Sequence, residues 1–153
     1  KKQEHELHEN KVRLRAMGRL DDLPTGTRNE LERVMQATVS YTEGQLILAL
    51  SYGSRTEIAA ACRRIAEQAK NGLLDPAAVD ETTVAGHLYL PDVPDPDLLI
   101  RTSGELRVSN FLIWQGAYSE YYIAAVYWPD FDKEQLRLAL EEFAKRHRRF
   151  GGL

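Results

Sequence analysis

Only one cysteine, Cys62, occurs in the 153 residues, so no disulfide can form within the chain. It lies among Ala and Ile at helical spacing, which predicts a buried thiol in a reducing compartment. No apolar run approaches the roughly 18 residues that a membrane span needs. The opening KKQEHELHENK has no apolar stretch of the kind a secretory leader carries, and the expectation is a cytoplasmic protein. A surplus of one charge is missing too: 20 Lys and Arg against 23 Asp and Glu leave a net charge of −3, without the broad basic field of nucleic-acid binders. No nucleic-acid partner is expected, and any anion site must be local. Internal repeats and low-complexity stretches are absent. What is present, 43% hydrophobic and 28% charged residues, suffices to bury a core, and the length predicts a single domain over residues 1–153.

Hydrophobic periodicity divides the chain. Residues 1–10 read as the end of a charged helix, and Val12, Leu14 and Ala16 alternate with Arg13 and Arg15 as in a short strand with one polar face. After the loop GRLDDLPTG, Thr27 as N-cap with Glu30 three residues on predicts a helix to about Tyr41. The continuous run Leu46–Leu50 predicts a strand buried on both faces, as in a parallel sheet, and Ser54 is expected to cap the helix that follows to about Lys70. That helix carries Ile58, Ala61, Cys62, Ile65 and Ala69 as its apolar stripe. Further expectations are a helix over 81–88, a strand at 98–100, a helix over 109–118, a strand over 123–128 and a helix from 133 to about 148, capped by Pro129-Asp130-Phe131-Asp132. This order implies an α/β fold: a mostly parallel sheet with helices on both faces and about four strands, few for such a fold.

Ligands of open parallel sheets bind beyond the carboxyl ends of the strands, so the stretch after Ile100 carries the chemistry. Arg101, Thr102, Ser103, Gly104, Glu105, Leu106, Arg107, Val108, Ser109 and Asn110 put two guanidinium groups, three hydroxyls and a glycine between a strand and a predicted helix start. Guanidinium forks match phosphate oxygens, Ser109 at a helix N-terminus adds a hydroxyl and free N–H groups, and Gly104 permits close backbone approach. A diphosphate satisfies all three. The competing reading pairs Arg101 and Arg107 with Glu105 or with the acidic PDVPDPD loop and makes Ser109 only a cap. Glu120, at the boundary between the 109–118 segment and the next strand, is a candidate Mg²⁺ ligand facing the same crevice, weighed against a solvated surface carboxylate. The basic KRHRRFGGL terminus reads by itself as a solvated face.

Several linked motifs carry a resemblance. They are Asp97 to Glu105, Arg107 to Gln115, Tyr118-Ser119-Glu120, Trp128-Pro129-Asp130-Phe131, Arg148-Arg149-Phe150-Gly151-Gly152 and the Ser51-Tyr52-Gly53-Ser54-Arg55 turn. In this order they closely resemble the cis-prenyltransferases, the undecaprenyl diphosphate synthase family, over essentially the whole chain. The resemblance implies an undecaprenyl diphosphate synthase-like fold and an enzyme that condenses isopentenyl diphosphate with an allylic prenyl diphosphate such as farnesyl diphosphate, giving a Z-polyprenyl diphosphate of the undecaprenyl lipid-carrier type. It implies that Arg101, Arg107 and Ser109 bind the isopentenyl diphosphate and that Glu120 binds Mg²⁺. Arg149 and Gly151, matching an Arg-x-Gly motif, are implied to reach the partner's substrate across a homodimer interface. The lipid product implies peripheral membrane contact.

The family's N-terminal Asp-Gly-Asn-Gly-Arg-Trp motif, whose aspartate serves Mg²⁺, has no counterpart in these residues, and neither does its Ser-x-x-Asn-x-x-Arg segment. The expectation is therefore a C-terminal portion of the domain, lacking the N-terminal part and the allylic half of the site, with its catalytic aspartate unassigned. Such a chain alone is expected to be inactive or severely impaired. Three alternatives stand beside this reading: a short-chain Z-prenyl diphosphate synthase, a non-catalytic accessory subunit, and an α/β phosphate-binding module of another ligand. Accessory subunits tend to lose the Arg-Thr-x-Gly-Glu-x-Arg segment, which is intact here.

Overall fold

The computed structural model describes residues 2–146, so Arg149 and Gly151 lie outside the described residues. It divides into two compact units, Lys1–Asp92 and Val93–Leu153.

In the first unit, helix α1 (Lys2–Glu9) turns at Lys11, whose φ is 49°, into strand β1 (Val12–Gly18). Helix α2 (Thr25–Ala37) leads to strand β2 (Gly44–Leu50), which pairs parallel with β1 in the register Leu14↔Leu46 and Ala16↔Leu48. Partners in register share a face, so Val12, Leu14, Leu46 and Leu48 form one apolar surface and Arg13, Arg15, Gln45 and Ile47 the other. The expectation that β2 is buried on both faces is not met. Leu46 is 45% exposed, because on its own face only part of the apolar surface is covered within the unit.

An unpaired strand edge exposes backbone donors. Here the fully buried Thr38 at the end of α2 accepts from the Leu14 N–H at 3.0 Å, while its hydroxyl donates to the Val34 carbonyl at 3.0 Å. Helix α2 thus seals part of the β1 edge. It begins at Thr25 rather than after Thr27, with Pro24 as N-cap: proline's constrained φ of −53° starts the helix three residues early, and the Pro24 carbonyl accepts from the Arg28 N–H.

Helix α3 (Ser54–Lys70) starts after Gly53, so Ser54 is its first residue, fully buried, and not its cap. Its buried residues are Ser54, Glu57 and Ala61. Cys62, one step and about 100° further around the helix, is exposed, which corrects the expected buried thiol. Helix α4 is short, Glu81–Ala85, and carries a capping box between Asp80 and Thr83.

The charged face of β1 is tied down by Arg15, whose Nη1 and Nη2 donate to the two oxygens of Asp92 at 2.6 and 2.8 Å. This fork pulls the Asp92 carboxyl from its ordinary 3.8 to about 2. A depressed carboxyl contributes stability above its unfolded value that disappears as pH falls through the folded one. Asp92→Asn should therefore flatten the acid limb of stability between about pH 4 and pH 2, read by urea midpoints across that range. An acid limb identical to wild type would show that the fork contributes nothing.

In the second unit, strand β3 (Leu98–Arg101) pairs parallel with β4 (Glu120–Ile123), Leu98 opposite Glu120 and Arg101 opposite Ile123. Helix α5 (Lys133–Ala144) follows, with Asp132 accepting from the Gln135 N–H as its cap. The strand expected at 123–128 lies earlier. Glu120 N–H donates to Asp97 O at 2.9 Å and Ala124 N–H to Arg101 O at 2.7 Å, so the ladder follows its partner and not the longest apolar run. Each unit thus holds one parallel strand pair, β1–β2 in the first and β3–β4 in the second, as the expected parallel α/β class requires.

The helix expected over 109–118 is absent. Ser109, Asn110 and Leu112 have φ of 50°, 61° and 47°, left-handed values that no α-helix tolerates, and the segment winds through turns closed by Phe111 N–H to Val108 O and Gly116 N–H to Leu112 O. Close packing holds it there: a Cβ on Gly116 would come 3.0 Å from Leu99 Cδ1 and 2.7 Å from Leu112 O.

Candidate active site

β3 ends at Arg101, the carboxyl end of a parallel strand. The chain then reverses sharply. Ser103 and Gly104 have φ of 69° and 64°, and their N–H groups donate to Val126 O at 2.8 Å and Ala124 O at 2.9 Å, pinning the loop to the segment after β4. This return brings Glu105 back to Arg101. Its Oε2 accepts from Arg101 Nη2 at 2.6 Å and lies 2.5 Å from Arg107 Nη2. Arg101 and then Arg107, by their hydrogen bonds, hold the Glu105 carboxyl below its ordinary range.

The pairing with Glu105 weighed from sequence is therefore real, while the acidic loop binds Arg15 through Asp92 instead. It does not abolish the cationic character: two guanidinium groups share one carboxylate oxygen, a local excess of one positive charge. Each arginine engages Glu105 through Nη2, and a guanidinium carries five N–H donors. A central carboxylate that spaces two such forks can pre-orient them for an oxyanion with many acceptor atoms.

Ser109 lies two residues beyond Arg107 on an exposed left-handed turn, outside the ion-pair group. It does not head a helix, so the donors expected of a helix N-terminus are not supplied there.

Glu120 is at the opposite end of the β3–β4 pair from Arg101. Its register partner is Leu98, three residues before Arg101, so it also points to the other face. The expectation that Glu120 faces the same crevice is thereby corrected. Its Oε2 accepts from Arg146 Nη1 at 2.9 Å, and the same nitrogen donates to Tyr121 O at 2.9 Å. Arg146 was visible in the sequence only as one member of the basic C-terminal cluster; its partner could not be read from it.

The first unit holds a cavity of about 670 Å³ lined by Leu7 of α1, Val34 of α2 and the apolar face of β1 and β2, with Glu4 and Glu30 in its wall. Its size is that of pockets for small organic ligands.

Fold and loop define an α/β protein whose paired arginines follow a parallel strand. Residues 1–151 match the family profile described as "Putative undecaprenyl diphosphate synthase". The chain is 48% identical over 147 residues to the isoprenyl transferase of Heliobacterium mobile, covering 96% of this chain and 56% of that protein. It is 50% identical over 145 residues to the tritrans,polycis-undecaprenyl-diphosphate synthase (geranylgeranyl-diphosphate specific) of Methanopyrus kandleri, covering 95% of this chain and 54% of that protein. Among solved structures, lavandulyl diphosphate synthase from Lavandula x intermedia, in complex with dimethylallyl diphosphate, superposes with a TM-score of 0.92 at 32% identity, over 97% of this chain and 64% of that one. A "probable undecaprenyl diphosphate synthase" from Campylobacter jejuni superposes at 0.84 and 33% identity, over 99% of this chain and 68% of that one. The chain belongs to the cis-prenyltransferase family, that of the undecaprenyl diphosphate synthases. It spans about half the length of these curated relatives. Among the described residues no helix is long and apolar enough to cross a membrane.

Proposed function

We propose that this chain belongs to an enzyme that transfers a prenyl group from an allylic diphosphate to isopentenyl diphosphate, giving a Z-prenyl diphosphate, and that it supplies the isopentenyl diphosphate side of the site. The observation that carries this is the Arg101–Glu105–Arg107 group beyond a parallel strand in a member of this family. In the reaction the C1–oxygen bond of the allylic substrate breaks, the isopentenyl double bond attacks C1, and a proton leaves to set a cis double bond. Diphosphate departs with the electron pair. Arg101 and Arg107 hold the second diphosphate so that its alkene lies next to that carbon, a contribution of positioning and charge neutralisation. Ser109 adds a hydroxyl, and Arg149 and Gly151 add donors from a partner copy in a homodimer.

Mg²⁺ would supply countercharge to the diphosphates. Glu120 is a carboxylate of the kind Mg²⁺ uses with phosphate oxygens, but within one chain it lies at the other end and on the other face of the strand pair from Arg101, with Arg146 on Oε2. These residues of one chain do not fit a single ion–diphosphate site.

Short-chain and undecaprenyl-type products both stand as readings, since the chain superposes on a lavandulyl diphosphate synthase and on a probable undecaprenyl diphosphate synthase. The test is incorporation of labelled isopentenyl diphosphate by the full-length protein, with geranyl or farnesyl diphosphate as primer and products sized. Arg101→Ala and Arg107→Ala should each raise the KM for isopentenyl diphosphate, by up to about 100-fold for a charge-assisted bond of about 3 kcal/mol. KM values unchanged in both variants would remove the site.

A further inference from the structure

Of the basic C-terminal cluster KRHRR, the described residues are Lys145 and Arg146. Arg146 is not a solvated cation. It stands just past the end of α5, where its N–H donates to Phe143 O at 3.0 Å, and its guanidinium reaches back to the start of β4. Nη1 donates to Glu120 Oε2 and to Tyr121 O, each at 2.9 Å, and Nη2 lies 3.7 Å from Glu142 Oε1. The Glu120 and Ala124 N–H groups serve β3, so by the alternation of a parallel strand Tyr121 O lies on the edge of β4 away from β3. One nitrogen thus serves an edge carbonyl and a carboxylate together, and it fixes the chain three residues before Arg149.

Position matters because of reach. Three residues span at most about 11 Å, so the Arg149 Cα must lie within that distance of the Arg146 Cα. We propose that Arg146 is a positioning residue for the C-terminal arginine: by tying the chain to Glu120 and Tyr121 it sets the origin from which Arg149 and Gly151 reach the substrate diphosphate held by a partner copy. This rests on the reading, under the proposed function, that Arg149 contributes to the isopentenyl diphosphate site of a homodimer. It also gives the Glu120 carboxylate a task in its own chain that needs no ion. Without its side chain, residue 146 keeps only a single turn bond at a helix end, and the firm origin recedes to Ala144, the last residue of α5. Five residues reach about 18 Å, against about 11 Å for three. The concentration of Arg149 at its target then falls about twofold as the −3/2 power of tether length, and about fivefold as its cube.

The experiment is a double-mutant cycle in the full-length protein, with KM and kcat for isopentenyl diphosphate measured at saturating farnesyl diphosphate and Mg²⁺ in wild type, Arg146→Ala, Arg149→Ala and the double variant. Arg146→Ala should raise KM about two- to fivefold with kcat unchanged. It should add nothing in the Arg149→Ala background, because an origin has no effect once the group it delivers is gone. A merely loosened helix or strand would add its own loss there. If Arg149→Ala raises KM and Arg146→Ala does not, or the two losses multiply in the double variant, the anchor is wrong and the reading of the C-terminal arginine stands. If Arg149→Ala leaves KM at the wild-type value, or wild type makes no product, that reading falls and the anchor with it. A change in Arg146→Ala confined to its Mg²⁺ titration would place the effect at Glu120 alone and overturn the proposal. Should Arg146→Ala fail to fold by circular dichroism, Arg146→Met keeps the apolar stem without the donors and takes its place in the cycle. A raised KM that vanishes in the Arg149→Ala background then supports the proposal, and a wild-type KM overturns it.

Discussion

Gly18→Ala is expected to destabilise the protein by about 3 to 5 kcal/mol, from a strained backbone together with a steric clash that neither neighbour can relieve. Gly18 closes β1 with φ at 114°, outside the range that L side chains adopt. A Cβ there would lie 2.0 Å from the carbonyl oxygen of Leu50, its register partner at the end of β2, and 3.3 Å from the Cα of Tyr52. Those are backbone atoms, so no side chain can swing aside; the last pair of the β1–β2 ladder must separate. A loss of this size is a large fraction of the stability of an ordinary domain. Urea unfolding followed by circular dichroism measures it. A variant within about 0.5 kcal/mol of wild type, the range of neutral surface changes, would show that the tight turn is not required.

The elements that periodicity predicts well are those whose partners are local. The alternation of Val12, Leu14 and Ala16 with arginines made β1 legible, and the run from Leu46 made β2 legible, because strand faces depend on parity alone. Where a distant contact decides, the sequence misleads. Phe111, Leu112, Ile113 and Trp114 look like part of a helix, yet left-handed turns at Ser109, Asn110 and Leu112 and the packing of Gly116 on Leu99 hold the segment otherwise. The apolar run after Ile123 looks like a strand, yet β4 starts at Glu120 because Asp97 and Arg101 supply its hydrogen-bond partners.

The same distinction governs the candidate site. Arg101 and Arg107 are close in sequence, so their convergence through Glu105 could be foreseen as one of two readings. The Glu120–Arg146 pair joins residues 26 apart, and Arg33 donates to Glu30 on its own helix and to Glu4 on another; neither long-range contact has a sequence signature. Motif spacing found the loop. It could not reveal that Glu120 belongs to the other face, which follows only from the parallel register of β3 and β4.

Glu57→Ala should lower stability by about 2 to 5 kcal/mol, whereas Glu57→Gln should cost only about 1 kcal/mol. The side chain is 0% exposed on α3. Its Oε2 accepts from the Tyr52 hydroxyl at 2.5 Å and its Oε1 from the Tyr89 N–H at 2.7 Å. It therefore fastens the Ser51–Arg55 turn, matched by the family resemblance, to the segment after α4, where Tyr52 and Tyr89 also meet edge-on with ring centroids 6.3 Å apart. Alanine takes the acceptor from both donors at once and leaves a cavity among buried groups, each unsatisfied donor costing about 1 to 3 kcal/mol. Glutamine keeps an amide oxygen for the Tyr89 N–H, and its NH₂ can donate to a tyrosine hydroxyl that then turns its proton toward Ser54, 3.1 Å away. The difference between the two variants isolates the hydrogen bonds from the volume of the side chain. Equal losses in Gln and Ala would mean that the carboxylate itself, and not its acceptor geometry, holds the turn.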